Sequence, residues 1–137
     1  KKISLNSGQK LFFTKIKYSS TIHNDSMKIK VEKLKEPFLL VTGISNPSPL
    51  VKYFETKGLI FTHLEFPNHH YFTTNDLNLI NKKRKHGKVI TTEKDFTRLA
   101  SLIENKSIFY IPIEMEFLSI EMEIQFKDYL QEKIQIN

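Results

Sequence analysis

The sequence contains no cysteine. That excludes a disulfide framework, a thiolate nucleophile and a thiolate zinc site, so any metal site would have to rest on histidine and carboxylates. Arginine occurs only at Arg84 and Arg98, and the formal net charge of +6 is carried almost wholly by lysine. Lysine makes point-charge contacts, whereas phosphate forks and base readers favour arginine. The basic balance therefore describes a lysine-rich solvated surface that only weakly favours anionic partners. No apolar run approaches the roughly 20 residues needed to span a bilayer, and the opening KKISLNSGQK has no apolar signal region. The chain does not begin with Met, and a piece of a longer protein is expected. GxSxG, HExxH and the phosphate-binding GxxxxGK followed by Ser or Thr are all missing, which removes the usual signatures of a serine hydrolase, a zinc protease and a P-loop.

What is present suits one α/β domain. At 137 residues, with 39% hydrophobic and 26% charged residues, the chain has enough apolar surface for its own core and is too apolar for disorder. Leu11 to Tyr18 alternates as a strand with one wet face. Ser19 to Glu36 is lysine-studded, either a second edge strand or an irregular connection, so that residues 1–36 form a possible interdomain or edge-strand segment. Phe38 to Thr42 (FLLVT) is continuously apolar, as in a buried parallel strand, with Gly43 at its end. Ser48 is placed to cap a helix with Pro49 at its first position and Leu50, Val51 and Phe54 as its stripe. Gly58 would end that helix, and Leu59 to Phe66 is the next strand, completing a βαβ unit.

Two capping-box patterns follow, Thr73-x-x-Asp76 and Thr92-x-x-Asp95. The first opens a helix with Leu77 and Ile80 that ends in the cationic turn Lys82 to His86. The second follows the short strand Val89 to Thr92 and opens a helix carrying Phe96, Leu99, Leu102 and Ile103. Ser107 to Pro112 and Ile113 to Leu118 read as strands. Ser119 then caps a last helix with Met122, Phe126, Tyr129, Leu130 and Ile134 as a buried stripe. The expected fold is a three-layer α/β sandwich, Rossmann-like, with a mostly parallel sheet and helices on both faces.

Three loops fall at the carboxyl ends of the expected parallel strands: Gly43 to Pro49, Pro67 to Thr73 and Thr91 to Asp95. Ligands of open α/β sheets bind outside those ends, so the loops are expected to face one cleft. The middle loop carries adjacent histidines, His69 and His70, candidates for acid–base work near neutral pH. A metal reading would gather His63, Glu65, His69 and His70, but no helix sets their geometry, and no metal ligand is assigned. Lys94 and the helix start beside it could meet a phosphate, or Thr92 and Asp95 could merely cap that helix.

The succession VTGISNP at Val41 to Pro47, HLEFPNHHYFT at His63 to Thr73, and TTEKDFTRL at Thr91 to Leu99 closely resembles the C-terminal domain of the tetraacyldisaccharide 4′-kinases, the lipid A 4′-kinase family. The resemblance implies that this chain is the C-terminal lobe of a P-loop kinase whose N-terminal NTPase domain is not in these residues. It implies transfer of the ATP γ-phosphate to the 4′-hydroxyl of a lipid A disaccharide 1-phosphate precursor. ATP and Mg²⁺ would be bound mainly by the N-terminal domain, at the cytoplasmic face of the bacterial inner membrane. Nucleic acid is not among the implied partners, and this stretch alone is expected to be inactive. The role of assisting a carboxylate of the N-terminal domain falls on His69. Gly43, Asn46, His70, Thr91, Thr92, Glu93, Lys94 and Asp95 are motif positions without separately implied duties. The family pattern has Asp before the histidines where this chain has Asn68, which can hydrogen-bond but cannot stabilise an imidazolium by charge. The competing reading is a stand-alone basic α/β module that binds an anionic polymer or nucleic acid.

Overall fold

Strands that are apolar on both faces need cover on both faces, and this requirement organises the chain. The computed structural model describes residues 3–103 and 107–134. Its strands are β1 (Thr14–Tyr18), β2 (Thr21–His23), β3 (Lys28–Lys30), β4 (Phe38–Thr42), β5 (Phe61–Glu65), β6 (Val89–Thr92), β7 (Ile108–Ile111) and β8 (Ile113–Phe117). Its helices are α1 (Ser48–Thr56), α2 (Thr74–Arg84), α3 (Glu93–Leu99) and α4 (Ile120–Ile134). The chain divides into two compact units, residues 18–113 and residues 1–17 with 114–137.

The larger unit holds a six-stranded sheet in the order β3-β2-β7-β6-β4-β5. β7, β6, β4 and β5 run parallel, while β2 is antiparallel to both β3 and β7. Every residue of β4 is buried, as its uninterrupted apolar run requires. Phe38 and Leu40 face one way, into a cluster with Leu50 and Phe54 of α1. Leu39 and Val41 face the other way, into a cluster with Ile80 of α2 and Phe96 and Leu99 of α3. The mostly parallel sheet thus has helices on both faces, a Rossmann-like three-layer arrangement. Phe54 is fully buried and meets Phe38 and Phe61 edge-on at 5.2 and 5.9 Å, the preferred aromatic geometry.

Local sequence explains the helix ends. Gly58 has φ +67°; its N–H reaches Glu55 O at 2.9 Å and that of Leu59 reaches Phe54 O at 3.3 Å, the Schellman pair that a left-handed residue permits. At the start of α1 Ser48 is the first helical residue rather than the cap. Asn46 Oδ1 accepts its N–H at 3.2 Å, so the turn is closed by the Asn two residues earlier.

Several boundaries differ from the sequence reading. The first strand begins at Thr14, and Ser19 to Glu36 yields the short β2–β3 hairpin followed by a 3-10 turn at Val31–Lys33. α3 stops at Leu99, leaving Leu102 exposed and Ile103 buried in the turn beyond. In the smaller unit β1 and β8 form a two-stranded sheet. Ser119 Oγ accepts the N–H of Met122 at 3.2 Å, capping α4, and Phe126 meets Phe12 and Phe117 at ring distances of 5.1 and 5.2 Å. The expected buried stripe is only partial: no residue of α4 is fully buried, and Leu130 and Ile134 are exposed. A two-stranded sheet has too little surface to cover a helix face of this length.

Truncation of Phe54 to Ala should cost about 3–5 kcal/mol, since a fully buried aromatic leaves both lost transfer energy and a cavity. Urea unfolding monitored by circular dichroism would show it as a lower midpoint; a loss below about 1 kcal/mol would contradict the packing described.

Candidate functional site at the carboxyl end of the sheet

Parallel strands deliver their following loops to one end, and here three of those loops are tied together by the backbone of Gly43. Its N–H donates to Asp95 Oδ2 at 2.8 Å, and its carbonyl accepts the N–H of His69 at 3.1 Å. The loops after β4, β5 and β6 therefore meet, as the sequence reading expected. Gly43 is buried, and a Cβ there would stand 3.1 Å from Asp95 Oδ1 and 3.5 Å from Pro67 O. The close approach of the Asp95 carboxyl, rather than an unusual φ, is what favours glycine.

The adjacent histidines do different things. The His70 N–H bonds to Pro67 O at 3.1 Å, closing a four-residue turn in which His69 takes φ +61°. A left-handed conformation costs a residue with a Cβ roughly 1–2 kcal/mol. The turn leaves His69 exposed and His70 half-buried. The His70 ring stacks on Phe66 at 4.8 Å, meets Phe72 edge-on at 5.2 Å and places Nε2 2.9 Å from Asp76 Oδ2. His70 is thus an internal brace, while His69 is offered outward.

Asp76 closes a complete capping box, its carboxyl accepting from Thr73 N–H at 2.8 Å and Thr73 Oγ1 at 2.7 Å. The hydrogen bond from His70, then those from Thr73, hold its carboxyl below the usual carboxylate range. The second Thr-x-x-Asp pattern forms only half a box. Thr92 Oγ1 accepts the N–H of Asp95 at 3.1 Å and donates to Asp95 Oδ2 at 2.9 Å, but the carboxyl reaches across the sheet to Gly43. Asp95 is fully buried. Its Oδ1 takes no hydrogen bond among the described residues and stands 3.9 Å from Arg98 Nη1, which is likewise unbonded.

The other predicted positions are scattered in role. Thr91 is buried and its Oγ1 donates to Val41 O at 2.7 Å, fixing β6 against β4. Asn46 serves the start of α1. Asn68, Glu93 and Lys94 are exposed. His63 lies in β5, bonded through Nε2 to Thr42 Oγ1 at 2.8 Å, and burial lowers its pKa. Among the described residues no group of three or more histidines and carboxylates could hold a metal ion. Sequence reasoning missed the reach of Asp95 to Gly43, the left-handed backbone of His69 and the His70–Asp76 bond. Only the last had a signal, the capping box that places Asp76 beside the histidine loop. A cavity of about 240 Å³ lies elsewhere, at the amino ends of β4 and β6, lined among others by Lys33, Lys35, His86 and Lys88.

Fold and loops together define a class: a Rossmann-like α/β lobe that presents one histidine from the carboxyl end of its sheet. Comparison with known proteins gives the particular family. The family model for tetraacyldisaccharide-1-P 4′-kinase matches residues 2–135, and the chain belongs to that family. It is 33% identical over 137 residues to a tetraacyldisaccharide 4′-kinase of Flavobacterium johnsoniae, covering 98% of this chain and 40% of the relative. A tetraacyldisaccharide 4′-kinase of Phocaeicola vulgatus is 36% identical over 139 residues, covering 90% of this chain and 38% of the relative. Among solved structures, one described as the "apo" form of LpxK from Aquifex aeolicus in complex with ATP has the same fold, with a TM-score of 0.58 at 17% identity over 95% of this chain and 38% of its own. The chain thus spans about 40% of the length of the relatives it matches.

The His70–Asp76 bond has a pH consequence. A carboxyl held low in the folded state stabilises the fold above its unfolded pKa of about 4 and loses that contribution as pH falls through the lower folded value. The melting temperature should therefore drop between pH 5 and pH 3 more steeply in the wild type than in Asp76→Asn, by differential scanning fluorimetry. Equal slopes would show that Asp76 has no such coupling.

Proposed function

We propose that this chain is the C-terminal lobe of a lipid A 4′-kinase, and that the intact protein transfers the γ-phosphate of ATP to the 4′-hydroxyl of a lipid A disaccharide 1-phosphate precursor. The observation that carries the reading at this site is the outward presentation of His69 by a strained turn fastened to Gly43. Strain of this kind persists where the surrounding structure fixes it, and it gathers at functional sites. Phosphoryl transfer depends on a phosphate cradle, a held Mg²⁺ and a positioned base. The cradle sequence is not in these residues, and Mg²⁺ in such sites is held by one or two carboxylates together with the phosphates that the cradle binds. ATP and Mg²⁺ are therefore assigned to a P-loop domain outside these residues, and this chain alone should not turn over.

In this reading His69 faces the partner domain across a cleft. It orients, or shares a proton with, the carboxylate there that accepts the proton of the sugar hydroxyl. Asn68 supplies a hydrogen-bonding neighbour in place of a charged one. The substrate is a lipid, and the work is placed at the cytoplasmic face of the inner membrane. No helix among the described residues is long and apolar enough to cross a membrane, so this lobe would meet the bilayer only at its surface. The competing reading, a stand-alone module for polyanions, has one observation in its favour, the lysine-lined cavity at the far end of the sheet. It requires steeply salt-dependent binding of a polyanion by this chain.

The test is a kinase assay with the full-length protein and ATP on the tetraacylated disaccharide 1-phosphate. Asn tolerates the left-handed turn, so His69→Asn removes the imidazole and keeps the loop. Activity should be present in the wild type, absent from residues 1–137 alone, and reduced at least about tenfold in kcat by His69→Asn, since acid–base assistance is typically worth 10²–10⁴. An unchanged kcat would remove the role of His69, and an inactive full-length protein would remove the kinase reading.

A further inference from the structure

We propose that Asp95 is a positioning residue that holds His69 in its working place through Gly43; this rests on the role of His69 given above. The comparison that motivates it is internal. The chain has two Thr-x-x-Asp patterns, and at the first the carboxyl of Asp76 turns back to the N–H of its own cap residue, completing the box locally while remaining partly exposed. At the second, the carboxyl of Asp95 accepts from Gly43 N–H, 52 residues away in sequence, at 2.8 Å. Capping α3 does not require that reach, because the Thr92 hydroxyl already accepts the Asp95 N–H.

The burial of Asp95 is costly in the same way. A fully buried carboxyl must be compensated, yet one of its oxygens takes no hydrogen bond among the described residues and its nearest cation, Arg98, stands off at 3.9 Å. The other oxygen accepts two bonds, from Gly43 N–H and Thr92 Oγ1. This carboxyl is a poor solution for stability alone and a good one for fixing where the residue after β4 lies.

The next link is covalent and short. The N–H fixed by Asp95 and the carbonyl that receives His69 N–H belong to the same residue, Gly43. A shift of Gly43 therefore moves the acceptor of the His69 main chain. Among the described residues β5 pairs only with β4 and is the last strand of the sheet, so no second strand there corrects the displacement. Misplacing a reacting or assisting group by about 1 Å can cost about 10²-fold in rate.

The test is a double-mutant cycle in the full-length kinase with the substitutions Asp95→Ala, Asp95→Asn and His69→Asn. Asp95→Ala should lower kcat about tenfold or more with KM for ATP changed less than about twofold. Asp95→Asn should restore most of the loss, because its amide oxygen can accept the same two bonds. In the His69→Asn background Asp95→Ala should have little further effect, since the two substitutions remove one arrangement. If Asp95→Ala shows no cooperative melting transition, Gly43→Ala replaces it in the cycle, because its methyl would stand 3.1 Å from Asp95 Oδ1. Losses that multiply with His69→Asn, or no rescue by Asp95→Asn, would overturn the positioning role while leaving the kinase reading intact. If His69→Asn alone leaves kcat unchanged, the role of His69 fails and this proposal fails with it.

Discussion

A residue at the buried end of a strand must find partners for both its N–H and its carbonyl, and at Gly43 neither partner lies in the sheet ladder. The N–H goes to the loop after β6 and the carbonyl to the loop after β5. Each of these loops follows a parallel strand with its own register, and nothing in the ladders alone fixes how closely the loop tips approach. The two bonds of Gly43 do so. A Cβ at this residue would stand 3.1 Å from Asp95 Oδ1, so a side chain there would press on the carboxyl that receives the Gly43 N–H.

The rest of the larger unit can be seen as support for that junction. Alternation along β4 sends Phe38 and Leu40 to α1 and Leu39 and Val41 to α2 and α3, so the strand leading into Gly43 is clamped on both faces. Thr91, one position before the cap of α3, bonds back to Val41 O, fixing β6 beside the same strand end. Phe66, which directly follows β5, supports the His70 ring at 4.8 Å. The left-handed turn at His69 is thus braced through its neighbour His70, which stacks on Phe66 and bonds Asp76, and by its own main-chain bond to Gly43.

Much of this was legible in the sequence. FLLVT followed by Gly specified a buried strand and its end, Gly58 a helix stop, and both Thr-x-x-Asp pairs a helix start, because each depends on chemistry within a few residues. The three loops were expected to converge because parallel topology requires it. What the sequence withheld depends on distance along the chain. The diversion of Asp95 to Gly43 is invisible from local spacing, which reads the same for Asp76 and Asp95. The parting of His69 and His70 depends on one positive φ, and although histidine is among the residues enriched there, two adjacent histidines give no sign of which one adopts it. Ser48 misled for the opposite reason, because an Asn two residues earlier closed the turn first. The periodicity of α4 predicts a buried stripe, but periodicity reports which face is apolar and not how much surface is available to cover it.

β5 occupies the edge of the sheet, with β4 as its only strand neighbour among the described residues. Its detachment would therefore break a single ladder and leave the parallel pairs β4–β6 and β6–β7 standing. Opening free energies in a folded protein vary from segment to segment, from near zero in mobile loops to the global value in core strands and helices. The histidine turn, which follows this edge strand, can thus exchange its amides with solvent through a local opening that leaves the rest of the sheet paired. The same edge placement allows inserted residues to lengthen this loop without disturbing the strands that form the core.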